Sequence, residues 1–304
     1  MSAPTAGKES LTRRVGDSLD HMPAVADAGM KASLAVHAAV LRGGEPARNV
    51  ADVLHGTWLG HPLHPVLTDV TIGAWTLGAA FDAIGALGDD DFARRVGDRL
   101  TAVGTASAVP TALTGLADYS TFPEWSATPA TLHGLLNSVG LGLYVLSLRD
   151  RNNGRRRRGL FFSSLALGLT SASAWLGGHL VYKHKVGVDH SESFEGPEDW
   201  TPVLDAADLP DGQPRCAELD GKKVLVYRDG DAVYAIGAVC SHAGGPLHEG
   251  DVNGPYVECP WHHSVFDLRD GSIRHGPATQ PQVAFDARIR DAKVEIRLAE
   301  DGAA

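Results

Sequence analysis

Cysteine is scarce in this sequence: among 304 residues only Cys216, Cys240 and Cys259 occur. Three thiols cannot frame a protein of this length with disulfides, so they read as ligands plus a bystander. Cys216, in a strand-like polar stretch with nothing nearby to lower its pKa, is the bystander. Positive charge is also short, with 27 Lys and Arg against 37 Asp and Glu and a formal net charge of -10. Phosphate backbones need a concentrated cationic surface, so a nucleic-acid partner is not expected. From Trp200 onward 17 acidic residues face 10 basic ones, which predicts a basic docking partner. The opening residues have no apolar run after their first charges, so an ordinary secretory signal is not expected. Nor does the chain have a disordered composition, at 43% hydrophobic and 21% charged.

Long apolar runs, in contrast, are plentiful. Four segments, 66–87, 100–117, 130–148 and 159–182, are rich in Gly, Ala, Ser and Thr, and the last two hold no Asp, Glu, Lys or Arg. Helices of this length cross a hydrocarbon layer about 30 Å thick, and small residues let them pack closely in lipid. The pattern predicts a four-helix transmembrane bundle over 61–183, although a soluble bundle of buried helices is the competing reading. Residues 1–60, with stretches such as "MKASLAVHAAVL", read as amphipathic helices on the outer face or the lipid surface. Basic residues orient the bundle. "RDRNNGRRRR" carries six arginines and the first connection adds Arg94, Arg95 and Arg99, whereas "DYSTFPEWSAT" has no Lys or Arg. The first and third connections are therefore expected in the cytoplasm, and both chain ends outside.

After Tyr182 a polar linker, 184–199, leads into 200–300, where short alternating runs such as "KKVLVY" and "AVYAIG" flank the Asp229-Gly230 turn. That pattern predicts a small all-β domain, so the whole is multi-domain: an N-terminal all-α membrane bundle and a C-terminal all-β domain.

Within the β region stands "CSHAGGPLHEGDVNGPYVECPWHH": C-x-H, sixteen residues, then C-x-x-H. Two thiolates and two imidazoles suit a [2Fe-2S] centre in which neutral histidines replace two cysteines and raise the reduction potential. Zinc also accepts Cys2His2 ligation, but its motifs usually group like ligands. His248, His263 and His275 lie nearby without ligand spacing.

On these motifs the stretch from Trp200 to Leu298 resembles the Rieske iron–sulfur family. The resemblance implies that Cys240 and Cys259 bind one iron and His242 and His262 the other, with Gly244 to Leu247 wrapping the cluster. "GPATQPQ" at 276–282, containing Pro277, is similar to the loop that covers the third side. High-potential members carry an additional cysteine in each cluster loop; here those loops hold Ala243 to Pro246 and Trp261. Ser264 keeps a hydroxyl able to bond a cluster sulfur, and Phe266 replaces a tyrosine hydroxyl. A potential between ferredoxin-type and quinol-oxidising members is expected. The implied role is one-electron transfer to or from a redox partner protein or quinone, as carrier or as oxidoreductase component. Rieske oxygenases carry a large catalytic-iron domain beyond the cluster, and none is expected in the stretch after His262.

A second constellation flanks the spans: His61 and His64 in "GHPLHPVLTD", then Asp69, Asp118, His133 and His179, all predicted at one end of the bundle. Ionisable residues at membrane depth mark functional sites. A quinone, a haem held by His133 and His179, or a metal would each fit, and a quinol-oxidising ring feeding the cluster is the alternative function. "HPLHP" before four spans resembles a predicted membrane family of unknown function over 55–185.

Overall fold

The computed structural model describes residues 11–299. The chain forms two compact units: residues up to 37 together with 65–186, and residues 38–64 together with 187 onward. The segment read from sequence as one N-terminal piece is thus divided between them.

Helices come first in the chain: α1 (Leu11–Asp20), α2 (Pro23–Arg42), α3 (Gly44–His55), α4 (Leu63–Leu87), α5 (Asp91–Tyr119), α6 (Ala127–Asn152) and α7 (Arg156–Tyr182). α4 to α7 are the four expected spans, and α2 is a fifth helix long and apolar enough to cross a membrane. The helices outrun the apolar segments. Asp90 caps α5 by accepting from Phe92 N (2.8 Å) and Ala93 N (3.3 Å), which starts the helix a full two turns before the hydrophobic stretch. Arg94, Arg95 and Arg99 are therefore helical and not in a loop, and most of "RDRNNGRRRR" belongs to the ends of α6 and α7.

Two of those arginines face inward. Arg151 pairs with Asp82 and Asp98 (2.6 Å each), and Arg156 with Asp82 and Asp98 (2.8 Å each). The Arg151 side chain is only 3% exposed, so this quartet compensates charges that would be expensive to bury singly. Close packing depends on small residues. A Cβ on Gly104 would lie 2.5 Å from Trp75 Cδ1, and Trp75 in turn stacks on Tyr144 at 4.0 Å between centroids.

The second unit is mostly β. Strands β1 (Thr201–Asp205), β2 (Arg215–Leu219), β3 (Lys222–Asp229), β4 (Ala232–Gly237), β5 (Asp251–Asn253), β6 (Tyr256–Glu258), β7 (Val265–Asp267), β8 (Ile273–His275), β9 (Ala284–Arg290) and β10 (Lys293–Leu298) form two antiparallel sheets. One has the order β1-β10-β9-β4-β3-β2, the other β5-β6-β7-β8. β3 is buried on both faces: Leu225 and Tyr227 enter one core with Ile236, Leu247 and Phe266, while Val224 and Val226 enter another with Phe285 and Ile296. A continuous apolar run is what a strand between two cores requires. The linker is pinned along this unit, with Phe194 against Phe285 (5.1 Å) and His190 N donating to Ser241 O (2.9 Å).

Candidate metal centre

The small sheet carries the motif. Cys240 to Pro246 lie between β4 and β5, Cys259 to Ser264 between β6 and β7, and Pro277 between β8 and β9. The first two loops make the same turn from different sequences. In each, the cysteine N–H donates to the carbonyl five residues on, Gly245 or Ser264 (2.8 Å each). Its carbonyl accepts from the N–H four residues on, Gly244 (2.8 Å) or His263 (3.1 Å). The fourth residue is left-handed in both, Gly244 at φ +80° and His263 at φ +63°. Glycine adopts that conformation freely; histidine has to be held there. His263 is held by Glu258 Oε1 (2.6 Å), and Arg48 on α3 donates to Glu258 Oε2 (3.0 Å). The hydrogen bond from His263, with burial opposing it and Arg48 assisting, holds the Glu258 carboxyl below its ordinary pKa.

These turns bring the four expected ligands together. Cys240 and Cys259 are buried at 1% and 2% exposure, and His242 and His262 are half-buried at the rim. The two imidazoles meet edge to face at 4.9 Å between centroids. The Cys240 thiol hydrogen-bonds to Cys259; that bond, together with burial, keeps the proton on Cys240, and against burial it brings Cys259 down to about 7. Thiolate is the ligating form, so binding a metal releases the proton that the two cysteines share.

The quartet also fits a diiron group better than one ion. A single tetrahedral zinc needs its donor atoms within about 4 Å of one another. Among the described residues, the group of three or more whose ligand atoms all lie within 4.8 Å is Asp20, His179 and His184, not any set drawn from these loops. Room is kept by Gly245, where a Cβ would lie 2.7 Å from Cys259 Sγ and 3.2 Å from the Trp261 ring.

The surrounding residues read from sequence are placed as follows. Leu247 and Phe266 are fully buried under the loops, and Pro277 is buried in the third loop. Ser264 Oγ accepts from Ala278 N (3.0 Å), which ties the second and third loops and leaves the hydroxyl proton for another acceptor. Gln282, with its amide turned to match its neighbours, donates to Val239 O (3.1 Å) and accepts from Ser241 N (2.9 Å).

Sequence reasoning read helices over 1–60 but missed what α3 touches. Asp52 accepts from Gly276 N (2.8 Å) through one carboxylate oxygen and pairs with His275 Nδ1 (2.8 Å) through the other. Glu45 pairs with His275 Nε2 (3.1 Å), and Gln280 Nε2 donates to Gly60 O (2.5 Å). His275, read from sequence as a neighbour of the motif without ligand spacing, is 4% exposed. No local pattern announces contacts between residues so far apart in the chain.

The membrane-face set is distributed over both units. His61 and His64 belong with residues 38–64, and Asp69, Asp118, His133 and His179 with the helices. His133 uses both ring nitrogens, Nδ1 toward Ser173 O (2.8 Å) and Nε2 toward Asn137 Nδ2 (3.1 Å). His179 turns instead to Asp20 (3.1 Å).

Residues 199–290 match the family described as Rieske [2Fe-2S] domain, and residues 60–190 match Predicted membrane protein (DUF2231). The chain is 32% identical over 100 residues to the anthranilate 1,2-dioxygenase ferredoxin subunit of Burkholderia cepacia, covering 33% of this chain and 93% of that protein. It is 33% identical over 98 residues to ferredoxin CarAc of Metapseudomonas resinovorans, covering 32% and 92%. Among solved structures it is similar to the ferredoxin of carbazole 1,9a-dioxygenase from Nocardioides aromaticivorans IC177, at 34% identity, coverage of 32% and 95%, and a TM-score of 0.31.

Proposed function

Because the chain belongs to the Rieske [2Fe-2S] family and is a membrane-anchored electron-transfer protein, we propose that Cys240, His242, Cys259 and His262 hold its cluster and that the rim formed by His242, His262 and Trp261 is where electrons enter and leave. The observation that carries this reading is the repeated turn, which delivers C-x-H and C-x-x-H to one place with thiols inside and imidazoles outside. The cluster, when bound, supplies one-electron chemistry. The chain's own residues do the rest. Leu247 and Phe266 exclude water beneath the loops, Ser264 offers a proton to stabilise added negative charge, and Trp261, 47% exposed, extends the rim into solvent.

The partner is a redox protein, and the acidic balance of the β region favours one with a basic docking face. Phe266 offers no hydroxyl, so the midpoint potential falls between ferredoxin-type and quinol-oxidising members. For sidedness, the arginine-rich ends of α4/α5 and α6/α7 favour the cytoplasm, which puts the β unit on the non-cytoplasmic side. A haem or quinone at Asp69, Asp118, His133 and His179 is less favoured by the contacts of His133, whose ring nitrogens are already engaged.

Electron paramagnetic resonance with a redox titration on detergent-purified protein tests the proposal. A Rieske signal that disappears in Cys259→Ala and His262→Ala is expected. Zinc in place of iron, or a signal surviving both substitutions, defeats the proposal. The same sample reports any haem band, and protease treatment of intact cells reports the side of the β unit.

A further inference from the structure

α1 ends at Asp20, and α7 closes in a turn where Lys183 N and His184 N both donate to His179 O (3.0 and 3.3 Å). This turn aims two imidazoles at one carboxylate oxygen. Asp20 Oδ1 lies 3.1 Å from His179 Nε2 and 2.9 Å from His184 Nε2. The three side chains are 10%, 11% and 9% exposed, and their ligand atoms all lie within 4.8 Å of one another.

We propose that Asp20, His179 and His184 form a binding site for a divalent first-row transition-metal ion, separate from the cluster. Donors about 2.1 Å from a common ion and at right angles to each other are about 3.0 Å apart, the spacing of both Asp20–His pairs. Two histidines and one carboxylate on one face of an ion leave its remaining positions open, the arrangement used by non-haem iron and by catalytic zinc. Two tryptophans pack at this end of α7. Trp175 stacks on His179 (5.2 Å, 17° between planes), and Trp125 Nε1 donates to His184 O (3.2 Å). On α1, a Cβ at Gly16 would come within 2.8 Å of His179 Cε1, so only glycine lets the helix approach the ring this closely.

A competing account is a network held by protons alone, in which both Nε2–H groups donate to Asp20 Oδ1. Lys183 bears on the choice. Its ammonium lies 2.7 Å from Asp20 Oδ2 and 2.6 Å from Asp17 Oδ1, and it neutralises charge that a cation would otherwise use. A metal displaces the two imidazole protons and competes with Lys183; a proton network needs neither change. Removing the Lys183 charge therefore strengthens metal binding without touching a ligand.

The inference does not rest on the cluster reading, and the test separates the two. Full-length protein in detergent is dialysed against micromolar zinc and its zinc and iron are counted. About one zinc per chain above the cluster iron is expected, and Cys240→Ala keeps that zinc while losing iron. His184→Gln and Asp20→Asn lower zinc affinity at least about tenfold with iron content intact, and Lys183→Met raises it about threefold. Equal zinc uptake by wild type and His184→Gln, or none by either wild type or Lys183→Met, overturns the site.

Discussion

Removing the Asp52 carboxylate should open the clasp between α3 and the loop around Pro277. Asp52 is 17% exposed and His275 5%, so the two bonds it makes, to Gly276 N and His275 Nδ1, are largely screened from water. Hydrogen bonds to a charged group contribute about 1.5–3 kcal/mol each, or about 3–6 kcal/mol for the pair. Water can reach the exposed side of the site, and His275 keeps Glu45 at 3.1 Å, so the lower end, about 3 kcal/mol, applies to Asp52→Ala. At about 1.4 kcal/mol per factor of ten, local opening becomes roughly a hundredfold more frequent. Hydrogen exchange on the full-length protein in detergent reads this directly at the peptide containing Gly276. Asp52→Asn retains one acceptor and is expected to lose about tenfold. Wild-type protection in Asp52→Ala would falsify the assignment of α3 as a structural part of the third loop.

Gly245→Ala should lower iron content per chain by at least about half, measured by metal analysis, because the new methyl collides with a sulfur that cannot rotate away. Ser264→Ala should lower the midpoint potential and Phe266→Tyr raise it. At about 1 kcal/mol per hydrogen bond the change is about 40 mV in each direction for a one-electron couple; titration of both variants with no change would remove Ser264 from the redox argument. Glu258 has a folded pKa below its unfolded one, so its ion pairs add stability above about pH 4.3 and lose it as pH falls through the folded value. Bleaching of the visible cluster bands on acidification should therefore begin at higher pH in Arg48→Met, and Glu258→Gln should flatten the acid limb.

The proposed cluster ligands could be singled out as a set because their spacing is local: each C-x-H or C-x-x-H pair spans one turn, and turn geometry is set by neighbours in sequence. The spans were legible for a similar reason, since lipid demands continuous apolar length. Their ends were not, because capping by Asp90 and burial of Arg151 and Arg156 against Asp82 and Asp98 carry the helices past the hydrophobic signal. Asp52 and His275 are 223 positions apart, and no periodicity links them. His184 looked like linker because it is beyond the last long apolar run, and Asp20 ends a short polar helix; only the close approach of α1 to the end of α7 brings them together. His179 was singled out from sequence beside His133, and the structure sets it against Asp20.

Residues 38–64 and residues from 187 onward fold as one body although α4 to α7 are translated between them. A bilayer lets such a body form only if the intervening chain returns to the side it left, so the number of crossings between Leu63 and Tyr182 has to be even, which four satisfies and three or five would not. The early segment must also wait, exposed, until the last span is inserted and the β strands emerge. Completion of this unit is thereby deferred until its β strands have followed the last span.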